Sequence, residues 1–474
     1  MKYLPTIGLE THVQLNTRTK IWCGCAVDST SEPNTNICPV CMGYPGSLPV
    51  LNAEAVRKTV QTGLLLGCTI ALRSKHDRKS YFYPDMPKNY QITQYDQPLC
   101  TGGSLDIEVE GTTKTVKINR IHLEEDVGKS THLRGASGVD YNRAGTPLME
   151  IVTEPDLHSE EEAFAYLTAL KRILEYGGVS HCNLERGNIR CDVNISVAEE
   201  GSDLLGVKAE IKNMNTFRGV HRAAAYEIKR QIRAVESGTP LVQETRRWED
   251  DQGVTTSMRS KEDAHDYRYF PDPDLAVITL TERQVEAWRA DLPELPAARK
   301  QRFIEELGLP EYDAGVLVSE IALADYFEKV VATAEGNAKA ASNWVMTEVM
   351  RVLSETNESA SGFTISPEAL GKLILLVSKK TINHSKAKEV FAVLLEEGGD
   401  PESIVEAKGW AQVSDSSELE SFVNEVIKEN PSVVEDYRGG KEAALQFLMG
   451  QVMRRSKGKA NPKMVLELLK ESLA

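Results

Sequence analysis

The amino-acid sequence predicts an α+β protein, in which a mixed, largely antiparallel β-sheet with helices precedes an all-α remainder. Three observations support this. Apolar and polar residues alternate with period two in several stretches before about residue 290, as expected of strands with one buried face. Two prolines in "ADLPELPAARK" (Ala290–Lys300) mark a break. Beyond it the apolar spacing is almost entirely helical. A chain of 474 residues has room for about three domains. Their expected limits are 1–292, 293–405 and 406–474, the last division resting on the softer break near "EEGGDPES" (Glu396–Ser403).

The first strand is read in "GLETHVQLN" (Gly8–Asn16), where Glu10, His12 and Gln14 share one face. Such a face is either a metal or phosphate site or the wet side of an edge strand. "IRCDVNISV" (Ile189–Val197) and "GVKAEIKNM" (Gly206–Met214) alternate in the same way and predict half-buried strands with charged faces. One intervening helix begins at "SEEEAFAYLTALKRIL", with Ser159 and Glu162 at capping-box spacing, and stops before Gly177. Another runs through "HRAAAYEIKRQIRAVESG" to about Gly238. After the break, "EALGKLILLVSKK" and "ESFVNEVIKEN" have the pattern of short amphipathic helices. The final helix has Asn461 as N-cap and Pro462 at its first position.

Composition describes an ordinary soluble chain, with no apolar leader and no stretch long enough to span a bilayer, so a cytoplasmic location without membrane contact is expected. The net charge of −15 excludes indiscriminate nucleic-acid binding. The segment Arg438–Lys463 departs from this, with seven basic residues against the single acid Glu442. That patch is either a phosphate-binding surface or a solvated helix face.

Cysteine spacing is the sharpest local signal. Cys23 and Cys25 are followed by Cys38 and Cys41, two close thiolate pairs suited to a closed tetrahedral zinc that staples a loop. Acids beside Gly/Pro turns recur in "HLEEDVGK" (Glu124, Glu125, Asp126), "RAGTPLMEIVTEPD" (Glu150, Glu154, Asp156) and "RCDVN" (Asp192). With Glu10 and His12 they form a candidate Mg²⁺ pocket, although each acid alone reads as surface. "DRKSYFYPDMPKNYQITQY" (Asp77–Tyr95) and "MRSKEDAHDYRYFPDPDL" (Met258–Leu275) interleave Lys79 and other basic groups with tyrosines. That composition suits phosphate contact and base stacking, or a structural loop. "GKS" at Gly128–Ser130 is no phosphate loop, because Leu123 stands where the motif needs glycine, and no Gly-x-Ser-x-Gly nucleophile turn is present.

Taken together, "GLETHVQL", the cysteine pairs before "GYPGSLPVLN", "SYFYPDMPKNYQI", "HLEEDVGK", "NRAGTPLMEIVTEPD", "IKNMN" and "MRSKEDAHDYRYFPDPDL" resemble the B-subunit family of glutamyl/aspartyl-tRNA amidotransferases. The tail "FLMGQVMRRSKGKANPKMVLELL" is similar to that family's YqeY-type domain. The resemblance implies a catalytic cradle and a heterotrimer with an amidase A subunit and a small C subunit. It implies ATP- and Mg²⁺-dependent phosphorylation of the side-chain carboxylate on mischarged Glu-tRNA(Gln) or Asp-tRNA(Asn), followed by amidation with delivered ammonia. Carried over, Glu10, His12, Glu125 and Glu150 are the expected magnesium ligands, and Glu124 and Asp192 either support them or hold a second metal at the cofactor. Lys79 is the expected phosphate contact, Cys23, Cys25, Cys38 and Cys41 hold structural zinc, and Lys441, Arg454, Arg455, Lys457 and Lys459 contact tRNA. Two rival readings are a non-catalytic zinc-containing tRNA-binding scaffold and a metal-dependent phosphoester hydrolase.

Overall fold

The computed structural model describes residues 3–473 apart from 29, 185, 203, 261–265, 357, 412–415, 442, 457–459 and 461. Backbone contacts divide the chain into two compact units, Met1–Pro296 and Ala297–Ala474.

The first unit is built on a ten-stranded sheet. Its central strand, Tyr3–Gln14, pairs antiparallel with Pro147–Thr153 on one side and Ile189–Glu199 on the other. The opening motif therefore lies in the middle of a sheet, which removes the edge-strand reading. Ile7, Leu9, Thr11 and Val13 are fully buried, whereas Glu10, His12 and Gln14 between them are only half-buried. Every second side chain leaves the opposite face, so this alternation makes one side of the sheet oily and the other polar. The oily side packs against helices Glu160–Tyr176 and Phe217–Glu236, through Ala163, Leu167, Leu170, Val220, Ala224 and their neighbours. Among the described residues, these two helices cover only the oily side, and the polar side is where chemistry can occur.

Beyond Pro147–Thr153 the sheet continues into the long strand Thr112–Glu125. Beyond Ile189–Glu199 it continues into Ala209–Lys212, which runs antiparallel to that neighbour but parallel to Glu244–Glu249. That contact makes the sheet mixed, as expected from sequence. The helix at Glu160 has the predicted Ser159 cap, whose hydroxyl accepts from the Glu162 amide at 3.1 Å. The reciprocal half of the capping box is diverted, because the Glu162 carboxylate accepts from the His158 amide and from Lys114 instead. A separate small sheet pairs Asp77–Ser80 with Tyr90–Thr93 and Phe270–Pro271.

The second unit is helical and holds two hydrophobic clusters, one drawn from Phe303 to Val405 and the other from Leu419 to Leu473. Its helices start where short polar caps precede proline: Ser366 caps Pro367–Ser378, and Asp400 caps Pro401–Lys408. The expected Asn461 cap lies outside the described residues. Among the described residues no helix is long and apolar enough to cross a membrane.

Candidate active site and metal centres

Strand register assembles the polar face. His12 lies opposite Glu150 on one neighbour and Arg190 on the other, and Glu150 in turn lies opposite His122. Directly paired residues point to the same side, so Arg190, His12, Glu150 and His122 form a row across four strands. Glu124 shares the face of His122 two residues on. The His12 Nε2 atom sits 3.3 Å from the Glu150 carboxylate and 3.9 Å from that of Glu124. His122 Nε2 lies 3.5 Å from both acids. One ligand atom from each of His12, Glu124 and Glu150 can be chosen so that all lie within 4.8 Å of one another.

The electrostatics follow from this packing. Burial opposes a charged imidazole at His12, but the hydrogen bond to Glu150 and the charges of Glu150, Glu124 and Asp192 override it and lift its pKa to about 9. Burial likewise opposes ionisation of Glu150, yet the charge of His122 and the hydrogen bond from His12 hold it well below the usual carboxylate range. The group is an ionised pocket in which a proton on His12 occupies the place a cation would take. An imidazole and two carboxylates suit a hard or borderline divalent ion that keeps several waters.

Of the expected magnesium ligands, His12 and Glu150 come together here, joined by Glu124. Glu10 stands beside them in a hydrogen bond from Asn194 at 2.8 Å. Glu125, of opposite parity to Glu124, is buried and committed elsewhere: its carboxylate accepts from Lys88 Nζ at 2.6 Å and from the Ile92 amide at 2.9 Å. Asp192 is ion-paired with Lys212. Lys79 projects from the small sheet with its ammonium 4.8 Å above the Tyr267 ring. Tyr267 abuts Tyr81 and Tyr269, and Tyr269 stacks on the exposed Tyr95 with centroids 4.2 Å apart. Burial, then the charges of Glu124, Tyr267 and Glu150, push the Tyr269 hydroxyl up, so this aromatic group faces the carboxylates.

Sequence reasoning passed over His122 and gave Asp126 a different place, among the acids of the metal pocket. His122 was detectable, since His122 and Glu124 repeat the i, i+2 pattern of Glu10 and His12. Asp126 is the buried hub behind the row: it accepts from Gln14 at 2.8 Å and Arg190 at 2.9 Å, with Arg143 3.6 Å away. Only strand pairing reveals that role.

The four cysteine sulfurs also lie within 4.8 Å of one another. Cys38 and Cys41 Sγ are 3.8 Å apart, the edge of a tetrahedron with Zn–S bonds of about 2.3 Å, so the donor set fits zinc. A hydrogen bond from Cys23, then the Cys38 amide and the charge of Lys20, lower the Cys41 thiol to about 4 although burial resists. Lys20 is fully buried, with Nζ 3.0 Å from the Asn36 carbonyl and 3.7 Å from Cys41 Sγ. No periodicity points to such a lysine.

In the tail, Lys441 is paired with Asp436, and Arg455 with Glu425 and Glu429. Arg454 is exposed and has no partner among the described residues. Lys457 and Lys459 lie outside the described residues.

A mixed sheet thus carries a histidine–carboxylate row on its polar face, and a helical unit follows it in the chain. Comparison with known proteins gives the family. The profile of the GatB/GatE catalytic domain matches residues 5–286, and that of the GatB domain matches residues 325–473. Over the whole of both chains the sequence is 52 % identical to the B subunit of the aspartyl/glutamyl-tRNA(Asn/Gln) amidotransferase from Thermoanaerobacter sp. (strain X514). It is 53 % identical to the protein of that name from Caldanaerobacter subterraneus subsp. tengcongensis, and 50 % to that of Chlorobium phaeobacteroides (strain BS1), again over the full lengths. The chain belongs to the family of aspartyl/glutamyl-tRNA(Asn/Gln) amidotransferase B subunits, and is thus a component of a ligase complex.

Proposed function

We propose that this chain is the cytoplasmic subunit that activates and amidates the side-chain carboxylate of Glu on tRNA(Gln) or Asp on tRNA(Asn). A carboxylate oxygen attacks the terminal phosphorus of ATP and ADP leaves. Ammonia then attacks the acyl carbon and inorganic phosphate departs, leaving Gln or Asn on the tRNA. The chemistry needs charge neutralisation and alignment rather than a protein nucleophile, which agrees with a site made of acids, imidazoles and a lysine. A bound Mg²⁺ would neutralise phosphate charge and orient the phosphoryl group; His12, Glu124 and Glu150 are the residues placed to hold it. Glu10 and Asp192 border that group. Glu125 could join it only by leaving Lys88. Lys79 and the tyrosine group offer a cation and ring faces for the nucleotide. The cysteine group holds structural zinc. In the tail, Arg454 contacts the tRNA backbone, with Lys441, Arg455, Lys457 and Lys459 adding to the local positive field. Ammonia comes from an amidase A subunit, with a small C subunit completing a heterotrimer.

The observation that carries this reading is the convergence of His12, Glu124 and Glu150 from three strands in a chain of this family. In the assembled complex, His12→Ala should lower amide formation on mischarged tRNA by roughly 10²–10³-fold, the scale for losing one preorganised charged group. Hydrolysis of glutamine by the same complex should persist. Wild-type amidation in that variant would overturn the assignment. A scaffold protein would show no ADP release dependent on mischarged tRNA.

A further inference from the structure

A pocket of about 280 Å³ opens where the central strand ends, with Gln14, Asn16, Asp28, Arg143, His181 and Arg186 in its wall. We infer that it receives the ribose and phosphate of the terminal nucleotide of the aminoacylated RNA; this rests on the function proposed above.

Position is the first reason. Gln14 shares the face of His12. Asn16 lies four residues beyond His12, roughly 13 Å along the strand direction at about 3.3 Å per residue. An extended glutamyl ester places about six bonds of roughly 1.5 Å between its side-chain carboxyl carbon and the ribose. A carboxylate at the His12–Glu124–Glu150 group would therefore set the sugar at most about 9 Å away, past Gln14 and short of Asn16, at the mouth of the pocket. Ligand pockets typically run from about 300 Å³ upward, so this one, just under that range, suits a ribose and phosphate rather than a strand.

The donors and acceptors are the second reason. Asn16 Oδ1 is buried with no hydrogen-bond partner among the described residues, an acceptor suited to a donor such as a sugar hydroxyl. Among the described residues, the Arg186 guanidinium and the His181 ring also lack partners. Arg143 is fixed by donating to the carbonyls of Val127 and Gly128 at 2.9 and 2.8 Å. The acid of the group, Asp28, is already consumed by the Thr30 amide and hydroxyl and by Ser31. The remaining chemistry is the Arg186 guanidinium and the His181 imidazole with one unmet carbonyl oxygen, beside an anchored Arg143 that is shared with Asp126, the complement of a phosphate carrying a ribose. The free ADP moiety offers the same groups, so the test must separate the two sources.

The test uses the assembled complex and two RNA probes, an acceptor-stem minihelix ending in CCA and the same minihelix without its last nucleotide. Removing that nucleotide should weaken binding to wild type by roughly tenfold, what a hydrogen bond to a charged group is worth. Arg186→Gln and, separately, Asn16→Leu should weaken binding of the complete minihelix by a similar factor. Neither should further weaken the shortened one, and ADP affinity should be unchanged. Additive losses on the shortened probe, or an unaltered affinity for the complete one, would overturn the proposal. A loss confined to ADP would overturn it in favour of the nucleotide cofactor. Arg186 is exposed, so its variant remains informative if Asn16→Leu fails to fold. A wild-type complex without amidation would sink the proposed function while leaving this coupling measurable.

Discussion

The cysteine group and the histidine–carboxylate group are two ionisable clusters in one unit, assembled in opposite ways. The first gathers residues 23, 25, 38 and 41, so a single short loop supplies every donor. The second gathers residues 12, 124 and 150, which meet only because three strands pair in one register. A one-residue slip of Pro147–Thr153 would send Glu150 into the oily layer, whereas no slip of the sheet would separate Cys38 from Cys41. The two constructions touch at one turn. Gly145, with φ +80°, receives the Ile21 amide on its carbonyl at 2.8 Å and donates its own to Asp126 at 2.9 Å. A side chain there would meet Cys41, Lys20 and Glu125. The comparison teaches that a local cluster can brace a distributed one by holding the turn that enters its strand.

The largest effect should come from the hub behind the distributed site. Asp126 is 3 % exposed, and the charges of Arg190 and Arg143 keep it ionised against its burial. Asp126→Asn would leave both guanidiniums without their counter-charge. Breaking a buried pair costs about 3–5 kcal/mol; the lower end is expected, because the Arg190 side chain keeps 40 % of its exposure. Denaturant unfolding of the full chain measures it. A change below about 1 kcal/mol, typical of a surface pair, would show that the row does not depend on this hub.

How much of this was legible follows the same division. The cysteine group could be read because spacing alone brings its members close, and the alternating strands could be read because burial imposes period two. Glu10 and His12 stood out for that reason too. The choice between Glu124 and Glu125 could not be made from "HLEED": both are acids, and only the pairing of Thr112–Glu125 decides which one faces the row and which one meets Lys88. The role of Asp126 was hidden because its partners are 64 and 112 residues away in sequence. Lys20 was hidden because a buried lysine violates the expectation that charge stays wet.

Two histidines sharpen the contrast through pH. His76 packs edge-on against Trp22, beside the cysteine loop, with both ring nitrogens buried and without a partner among the described residues. Burial lowers it to about 4, and Asp272 and Asp77 only soften the shift. The unfolded chain takes up a proton at about pH 6.5, so between 6.5 and 4 it binds more protons than the folded one and stability falls as pH falls. The loss from this residue amounts to about 3 kcal/mol across that window. His76→Phe should remove it, flattening the acid limb of the stability profile; an unchanged slope would refute the assignment. His12, raised to about 9 in the absence of a cation, has the opposite sign. Its contribution is complete below about pH 6.5 and fades as pH rises through 9.

The smallest effect tests whether the local cluster is as self-sufficient as its spacing suggests. Four thiolates around Zn²⁺ carry net negative charge, and burying that charge is costly unless a cation accompanies it. Lys20 is the group placed to do so, and its bond to the Asn36 carbonyl fixes it within the loop. Lys20→Met keeps the length of the side chain and removes its charge. Zinc affinity measured against a competing chelator should fall about tenfold, the low end of the range for lost supporting contacts. The zinc-free protein should lose less stability than the zinc-bound form, since the Cys41 thiolate can take up a proton once the Lys20 charge is gone. A packing defect would weaken both forms alike, so equal destabilisation with and without zinc would reduce Lys20 to a structural residue. The split between them is what a counter-charge requires.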